Sequence, residues 1–302
     1  MKTPRALLAT LVLAAIQAAA QQAPLRPAGL EILHLTASGA FGRSENISRT
    51  SYQPARRDAE TYELTLSSTH SRQLAGNLLL TGTAEISTMS VPQYGLTNRN
   101  LYGGRLTLQR KFGLGAQAPV LQFTAGTSFR DARNDGERGW TTEARLELAK
   151  RVLPQLRLAA QAGWLEHTAR RDTFDLGQES YSAEIRWDLS DRWSLTGTAG
   201  RLTGDVVAGT SWSVWDNMLA GGLGQAVFDC YTSRPWMITN LYATRWVSYN
   251  IESEVDFWSV SLGYAVTDRT WLELRRSASF VVNTVGVTYP TGSWSLGLTR
   301  RF

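Results

Sequence analysis

The sequence predicts an all-β fold, a transmembrane antiparallel up-and-down β-barrel of about 12 strands, with about 14 as the alternative. Three observations carry this prediction. Apolar and polar residues alternate with period two in segment after segment from Leu33 to Phe302. Each run is close to the roughly 9–11 residues with which a tilted strand crosses a bilayer. The larger aromatics, among them many of the 11 Trp, fall at the ends of the apolar faces, where Trp and Tyr favour membrane interfaces. Beyond the first twenty residues no apolar run is long enough for a spanning helix, and a closed barrel is the other way to pair every backbone polar group in lipid. A soluble β-sandwich would also alternate, but it would not place the large aromatics at strand ends on the apolar face.

Residues 1–20 read as a secretory signal peptide. Met1-Lys2-Thr3-Pro4-Arg5 is a basic n-region, Ala6 to Ala15 an apolar run, and Ala18-Ala19-Ala20 a small-residue cleavage pattern. Residues 21–302 form a single barrel domain on this reading. No Cys follows the apolar run, which excludes a lipid anchor, and the single cysteine, Cys230, excludes an internal disulfide framework or a thiolate zinc site. Without Lys2 and Arg5 the formal charge of +5 shrinks to a mild basic excess spread along the chain, which gives no reason to expect nucleic acid.

Pro24 to Pro27 is a short lead-in, after which Leu33, Leu35, Ala37, Gly39 and Phe41 share a face in the first strand. A polar loop over 43–60 carries Arg43, Arg49, Arg56 and Arg57; its Asn46-Ile47-Ser48 matches a glycosylation sequon, to which no weight is given. The second strand sets Tyr62, Leu64 and Leu66 against Glu63, Thr65 and Ser67, with a turn expected near Ser71-Arg72. The third sets Leu78, Leu80, Ala84 and Ile86 against Thr81, Thr83 and Glu85. The fourth sets Tyr102, Leu106, Leu108 and Phe112 against Arg105, Thr107, Gln109 and Lys111. The fifth alternates Leu121, Phe123, Ala125 and Phe129 with Gln122, Thr124 and Ser128. In the sixth Trp140, Ala144, Leu146 and Leu148 oppose Glu143, Arg145 and Glu147, and in the seventh Leu158, Ala160, Ala162 and Trp164 oppose Arg157 and Gln161. The eighth has Tyr181, Ala183, Ile185 and Trp187 against Glu184, Arg186 and Asp188, and the ninth puts Trp193, Leu195, Gly197 and Ala199 on one face.

Alternation then breaks over 204–253. This is long for a loop in a compact domain. It reads either as a partly helical outer segment folding into the mouth as a plug, or as an extra strand pair. Trp258, Val260, Leu262 and Tyr264 resume the pattern, and a long strand from Trp271 sets Leu272, Leu274 and Ala278 against Glu273, Arg275 and Ser277. A phase change near Phe280–Val282 suggests a bulge, and Pro290-Thr291-Gly292 a turn.

The last strand, Ser293 to Phe302, puts Trp294, Leu296, Leu298 and Phe302 on one face and small or polar residues on the other. It resembles the closing strand of bacterial outer-membrane β-barrels, with Arg300 at a position that is usually apolar. The resemblance implies an outer-membrane location, contact with lipid and lipopolysaccharide, and Phe302 as the signal read by the barrel-assembly machinery. It also implies a periplasmic C-terminus. Counting back from there puts the Ser71, Pro154, Ser190 and Asp268 turns inside and the 43–60, 87–99, 131–138 and 169–178 loops outside.

For function, the candidate residues are the charged members of the polar face, expected to line the lumen: Glu63, Glu85, Arg105, Lys111, Glu143, Arg145, Glu147, Arg157, Glu184, Arg186, Asp188, Glu273 and Arg275. Either they set the selectivity of a water-filled path, or acids and bases on neighbouring strands pair and fill the interior. The favoured reading is a narrow channel for small polar solutes. A non-transporting envelope or export-partner barrel is the alternative, and an outer-membrane hydrolase the third. No catalytic residue, metal or cofactor is assigned: His34, His70 and His167 lack a nucleophile and orienting partner on the same face, and Glu166 and His167, adjacent in a strand, point to opposite sides.

Overall fold

The computed structural model describes residues 34–218 and 225–302. The signal peptide, the Pro24–Pro27 lead-in and Leu33 lie outside the described residues. Thirteen strands run through these residues: β1 His34–Glu45, β2 Ala59–Ala75, β3 Leu78–Ser90, β4 Arg99–Lys111, β5 Val120–Ala132, β6 Gly139–Leu153, β7 Leu156–Ala169, β8 Leu176–Asp188, β9 Trp193–Ser211, β10 Trp236–Thr239, β11 Trp246–Thr267, β12 Thr270–Asn283 and β13 Thr288–Arg301. Every strand pairing is antiparallel. β13 pairs with β1 and β9 with β11, so twelve strands close on themselves and the short β10 stands outside the ring. Closure removes the unpaired edges that lipid would not tolerate.

The period-two pattern decides which way each side chain points. Leu64, Ile86, Tyr102, Leu106, Trp140, Leu146, Tyr181, Ile185, Trp258, Leu274 and Leu298 are all large, apolar and exposed on the outer surface. A water-soluble monomer does not carry an apolar band of that extent, so the band is the lipid-facing surface. Aromatics gather at its two ends. Phe41 lies between Tyr62 and Trp294, with ring centroids 5.3 and 5.5 Å away, and Phe129 packs on Trp140 at 5.3 Å. At the other end Trp193 meets Tyr264 at 4.6 Å.

Four sequence expectations move. The β2–β3 turn is not at Ser71-Arg72: β2 continues to Ala75 and the chain turns at Gly76 and Asn77. The Pro290–Gly292 turn is strand instead. Pro290 stands opposite Phe280 in the β12–β13 ladder, and the hairpin turns over 284–287, where Gly286 takes φ +78. Proline is tolerated there because its carbonyl, accepting from Asn46 Nδ2 at 2.9 Å, faces the β1 side, where pairing has already ended at Gly292. Its missing N–H faces the same way and is not needed. No bulge occurs at Phe280–Val282; the β12 register is continuous there, and the shift lies at Ala265/Thr267. The apparent phase change arises because inward-facing Val281 is apolar too, buried in a cluster with Tyr289.

The fourth change concerns 204–253. The barrel ladders stop at one row, Gln178–Gly204–Ser253–Asn283. Gly204 has φ +129, a conformation open to glycine, and a Cβ there would lie 2.1 Å from the Gly177 carbonyl. Beyond this row β9 and β11 do not become loop. They continue as a two-stranded ribbon, pairing Asp205 with Glu252 through to Ser211 with Trp246. The helices α1 (Trp212–Asn217) and α2 (Gln225–Ser233) and the strand β10 occupy the shorter remainder, 212–245. Residues 246–251 are buried on both faces, so a strand there shows no alternation to read.

Candidate functional site

The inner wall is divided between charged and hydroxylated sectors. In the charged sector, Arg157 on β7 is held between Glu147 on β6 and Glu184 on β8, with Arg157–Glu184 at 2.7 Å, and Gln161 Nε2 donates to Glu147 at 3.1 Å. Asp188 bridges Arg151 at 3.1 Å and Arg186 at 3.2 Å. Arg105 meets Glu85 at 3.3 Å, and Arg275 meets Glu273 at 2.9 Å. Glu63 on β2, Lys111 on β4, and Glu143 and Arg145 on β6 alternate with the outward apolar residues and so fall on the inner face. Each paired base is met by an acid on its own or a neighbouring strand, so these groups largely neutralise one another. Ion pairs as exposed as Arg105–Glu85 and Arg275–Glu273 add little to the stability of the fold.

Toward the mouth from the Glu273–Arg275 pair, the inner face of β11, β12, β13 and β1 carries small hydroxyl residues. Ser277 and Ser293 hydroxyls are 2.8 Å apart, and Ser279 and Thr291 hydroxyls 2.7 Å. Together with Ser44, Phe257 and Ser259 they line a cavity of about 240 Å³.

Above the cavity the ribbon and its helices meet the loops of the far wall. Trp215 of α1 stacks on Tyr249 at 5.5 Å, and Tyr231 of α2 meets Tyr249 at 5.1 Å. Both belong to an apolar cluster with Val247, Ile251, Val281 and Tyr289, whose wall members sit on the inner face. Tyr231 accepts from Asn283 Nδ2 at 3.0 Å. On the ribbon's other face Trp246 packs with Tyr242 at 4.9 Å, and Tyr242 packs with Tyr94 at 5.2 Å. Tyr94 lies in the β3–β4 loop, and β3 and β4 are each five strands from the ribbon around the ring. This contact therefore requires the 212–245 excursion to cross the barrel mouth. Tyr242 also donates to the Ile47 carbonyl at 2.9 Å, and burial raises its phenol far above the usual range, so it remains a neutral donor.

His167 is enclosed between a hydroxyl and a backbone carbonyl. It is 1 % exposed, with Nδ1 2.8 Å from the Thr141 hydroxyl and Nε2 3.2 Å from the Glu137 carbonyl. Among the described residues no group of three or more potential ligands could hold a metal. The sequence reading missed Arg99 and Arg130, inner-face residues at the top of β4 and β5. Extending the phase of Arg105 back by three alternations would have found Arg99.

No protein-family model matches the chain, and no curated protein does. Solved structures do. An outer membrane channel from Pseudomonas putida F1 aligns over 93% of this chain and 100% of its own, with a TM-score of 0.56 at 13% identity. The NanC porin aligns over 88% of this chain and 98% of its own, with a TM-score of 0.47 at 10% identity. A Salmonella typhi outer membrane phospholipase covers 88% of this chain and 90% of its own at a TM-score of 0.45 and 11% identity. At these identities the first likeness shows the barrel fold, and the other two carry no argument.

Proposed function

We propose that this protein is a narrow channel of the bacterial outer membrane for small polar solutes. The observation that carries the reading is the hydroxyl-lined cavity of about 240 Å³ on the inner wall, beside a charged wall that is largely self-neutralised. A cavity of this volume suits a small polar molecule that exchanges water for hydroxyl contacts. The P. putida structure, described as an outer membrane channel, supports the same assignment. Proteoliposomes containing the folded protein should swell in isotonic solutions of a pentose, with rates falling steeply for larger sugars. Swelling no faster than in protein-free liposomes would contradict the channel and favour the non-transporting barrel, for which the packed mouth speaks. His167 gives the hydrolase reading no support.

Phe302, 59 % exposed on the lipid side, is the residue we assign to recognition by the assembly machinery. Its backbone N–H already pairs with the Leu35 carbonyl at 2.9 Å, so the ring is spare for the fold. Deleting it should lower the amount of assembled barrel in cells while leaving refolding in detergent unchanged; an equal loss in both would make the role purely structural. The lipid-facing band of the same barrel is taken to meet phospholipid and, on its outer half, lipopolysaccharide.

A further inference from the structure

Most of the inner-wall arginines described above are matched by carboxylates, but at the mouth Arg99 and Arg130 of the wall, and Arg49 of the β1–β2 loop, are not. Arg99 and Arg130 occupy diagonal positions on neighbouring strands, since Arg99 stands opposite Ala132 and Arg130 opposite Leu101. Diagonal partners on one face lie about 7–8 Å apart at Cα, within mutual reach of long side chains. The Arg130 guanidinium feels the positive charge of both Arg99 and Arg49, and Arg99 that of Arg49. Among the described residues none of the three has a carboxylate within ion-pair distance. Glu137 acts on Arg99 and Arg130, and Glu63 on Arg99, only at longer range, and Glu137 Oε1 already accepts from Asn134 Nδ2 at 3.0 Å. Arg130 Nε is buried and has no hydrogen-bond partner.

Arg49 is brought to this place by a built loop. It adopts φ +52, uncommon for a residue with a side chain. Its Nη1 donates to the Val207 carbonyl of the ribbon at 3.4 Å, and its own carbonyl accepts from Gly209 N–H at 3.4 Å. Buried Asn46 holds the turn beneath it, receiving Thr50 N–H at 3.2 Å and the Ser48 hydroxyl at 3.1 Å. Crowding like charges is unfavourable unless something else collects the benefit. Guanidinium groups bind carboxylate and phosphate oxygens in paired, charge-assisted hydrogen bonds.

We propose that Arg49, Arg99 and Arg130 form an oxyanion-binding site at the mouth, selecting small solutes that carry a carboxylate or phosphate group. This deepens the channel reading and rests on it for its role in transport; the binding itself does not. The full-length folded protein is titrated in detergent with inorganic phosphate and, separately, with acetate, and its reversal potential is measured in a bilayer under a KCl gradient. Wild type should bind at least one probe and favour chloride over potassium. Which probe binds more tightly identifies the oxyanion class. R99Q/R130Q should weaken binding about tenfold or more and move the reversal potential toward zero. R49Q, which changes only a loop residue, should do so in part, while R192Q at a turn on the opposite rim should do neither. Heat-modifiable migration on gels verifies that each variant is folded. Binding of neither probe, or equal binding and equal reversal potentials across all variants, overturns the site. A protein that conducts nothing but loses phosphate binding in R99Q/R130Q keeps the site and sinks the channel.

Discussion

Asn46 illustrates how a single side chain organises the mouth. It is buried, sits at φ 55, and its amide donates to the Thr50 carbonyl at 3.0 Å and to Pro290 of the closing strand, while its oxygen receives Thr50 N–H and Ser48. Asparagine tolerates the left-handed region better than other residues with a Cβ. N46A should therefore lower the opening free energy of the 46–57 loop by about 2 kcal/mol, through lost hydrogen bonds and backbone strain together. N46G, free of the strain, should lose less. Amide exchange at Ile47, whose N–H donates to the Arg57 carbonyl at 2.7 Å, reads both. Wild-type exchange in N46G would mean that backbone conformation alone organises the loop. In the sequence Asn46 was visible only as part of a sequon, because its partners lie across a turn and on a strand 244 residues away. Arg300 is the converse case. Its charge breaks the apolar pattern of the last strand, yet its guanidinium lies 5.3 Å from the Phe302 ring centroid at the barrel's rim, where a long side chain reaches water while its stem stays on apolar surface.

The ribbon with its helices is the element that the sequence described least well. Where a strand separates lipid from lumen, as at Leu106-Thr107-Leu108, its two faces differ in polarity and the period is plain. Where both faces are buried, as at Trp246 to Ile251, the contrast vanishes although the strand persists. The break in pattern at 204–253 therefore marked where the barrel wall ends rather than where strand ends. Trp215, 1 % exposed and in contact with Tyr231, Trp236 and Tyr249, is the keystone of the helical part. Truncating a buried Trp to Ala costs about 3–5 kcal/mol. W215A should open 212–245 to limited proteolysis while twelve-stranded wall fragments remain heat-modifiable on gels. Cleavage within the barrel strands instead would mean that the helices support the wall.

At the scale of the whole molecule, strand number, closure and orientation of faces were legible because each is repeated. A weak alternation becomes decisive when twelve strands and two aromatic girdles agree with it. The inner charges were legible as positions but not as partners: Arg157 between Glu147 and Glu184 follows from strand register, which a one-residue shift would destroy. The crossing of the mouth was legible only as one of two readings of 204–253, and its contacts were not legible, since Tyr242 and Tyr94 meet only once the ring has closed. The account predicts a polar path within the wall whose aperture is set by 212–245. The most direct test is single-channel recording in planar bilayers, comparing wild type with a variant in which a short Gly-Ser turn joins Ser211 to Trp246. Small discrete conductance steps in wild type and several-fold larger ones in the variant are expected. No conductance above background in either protein, both folded, would contradict it.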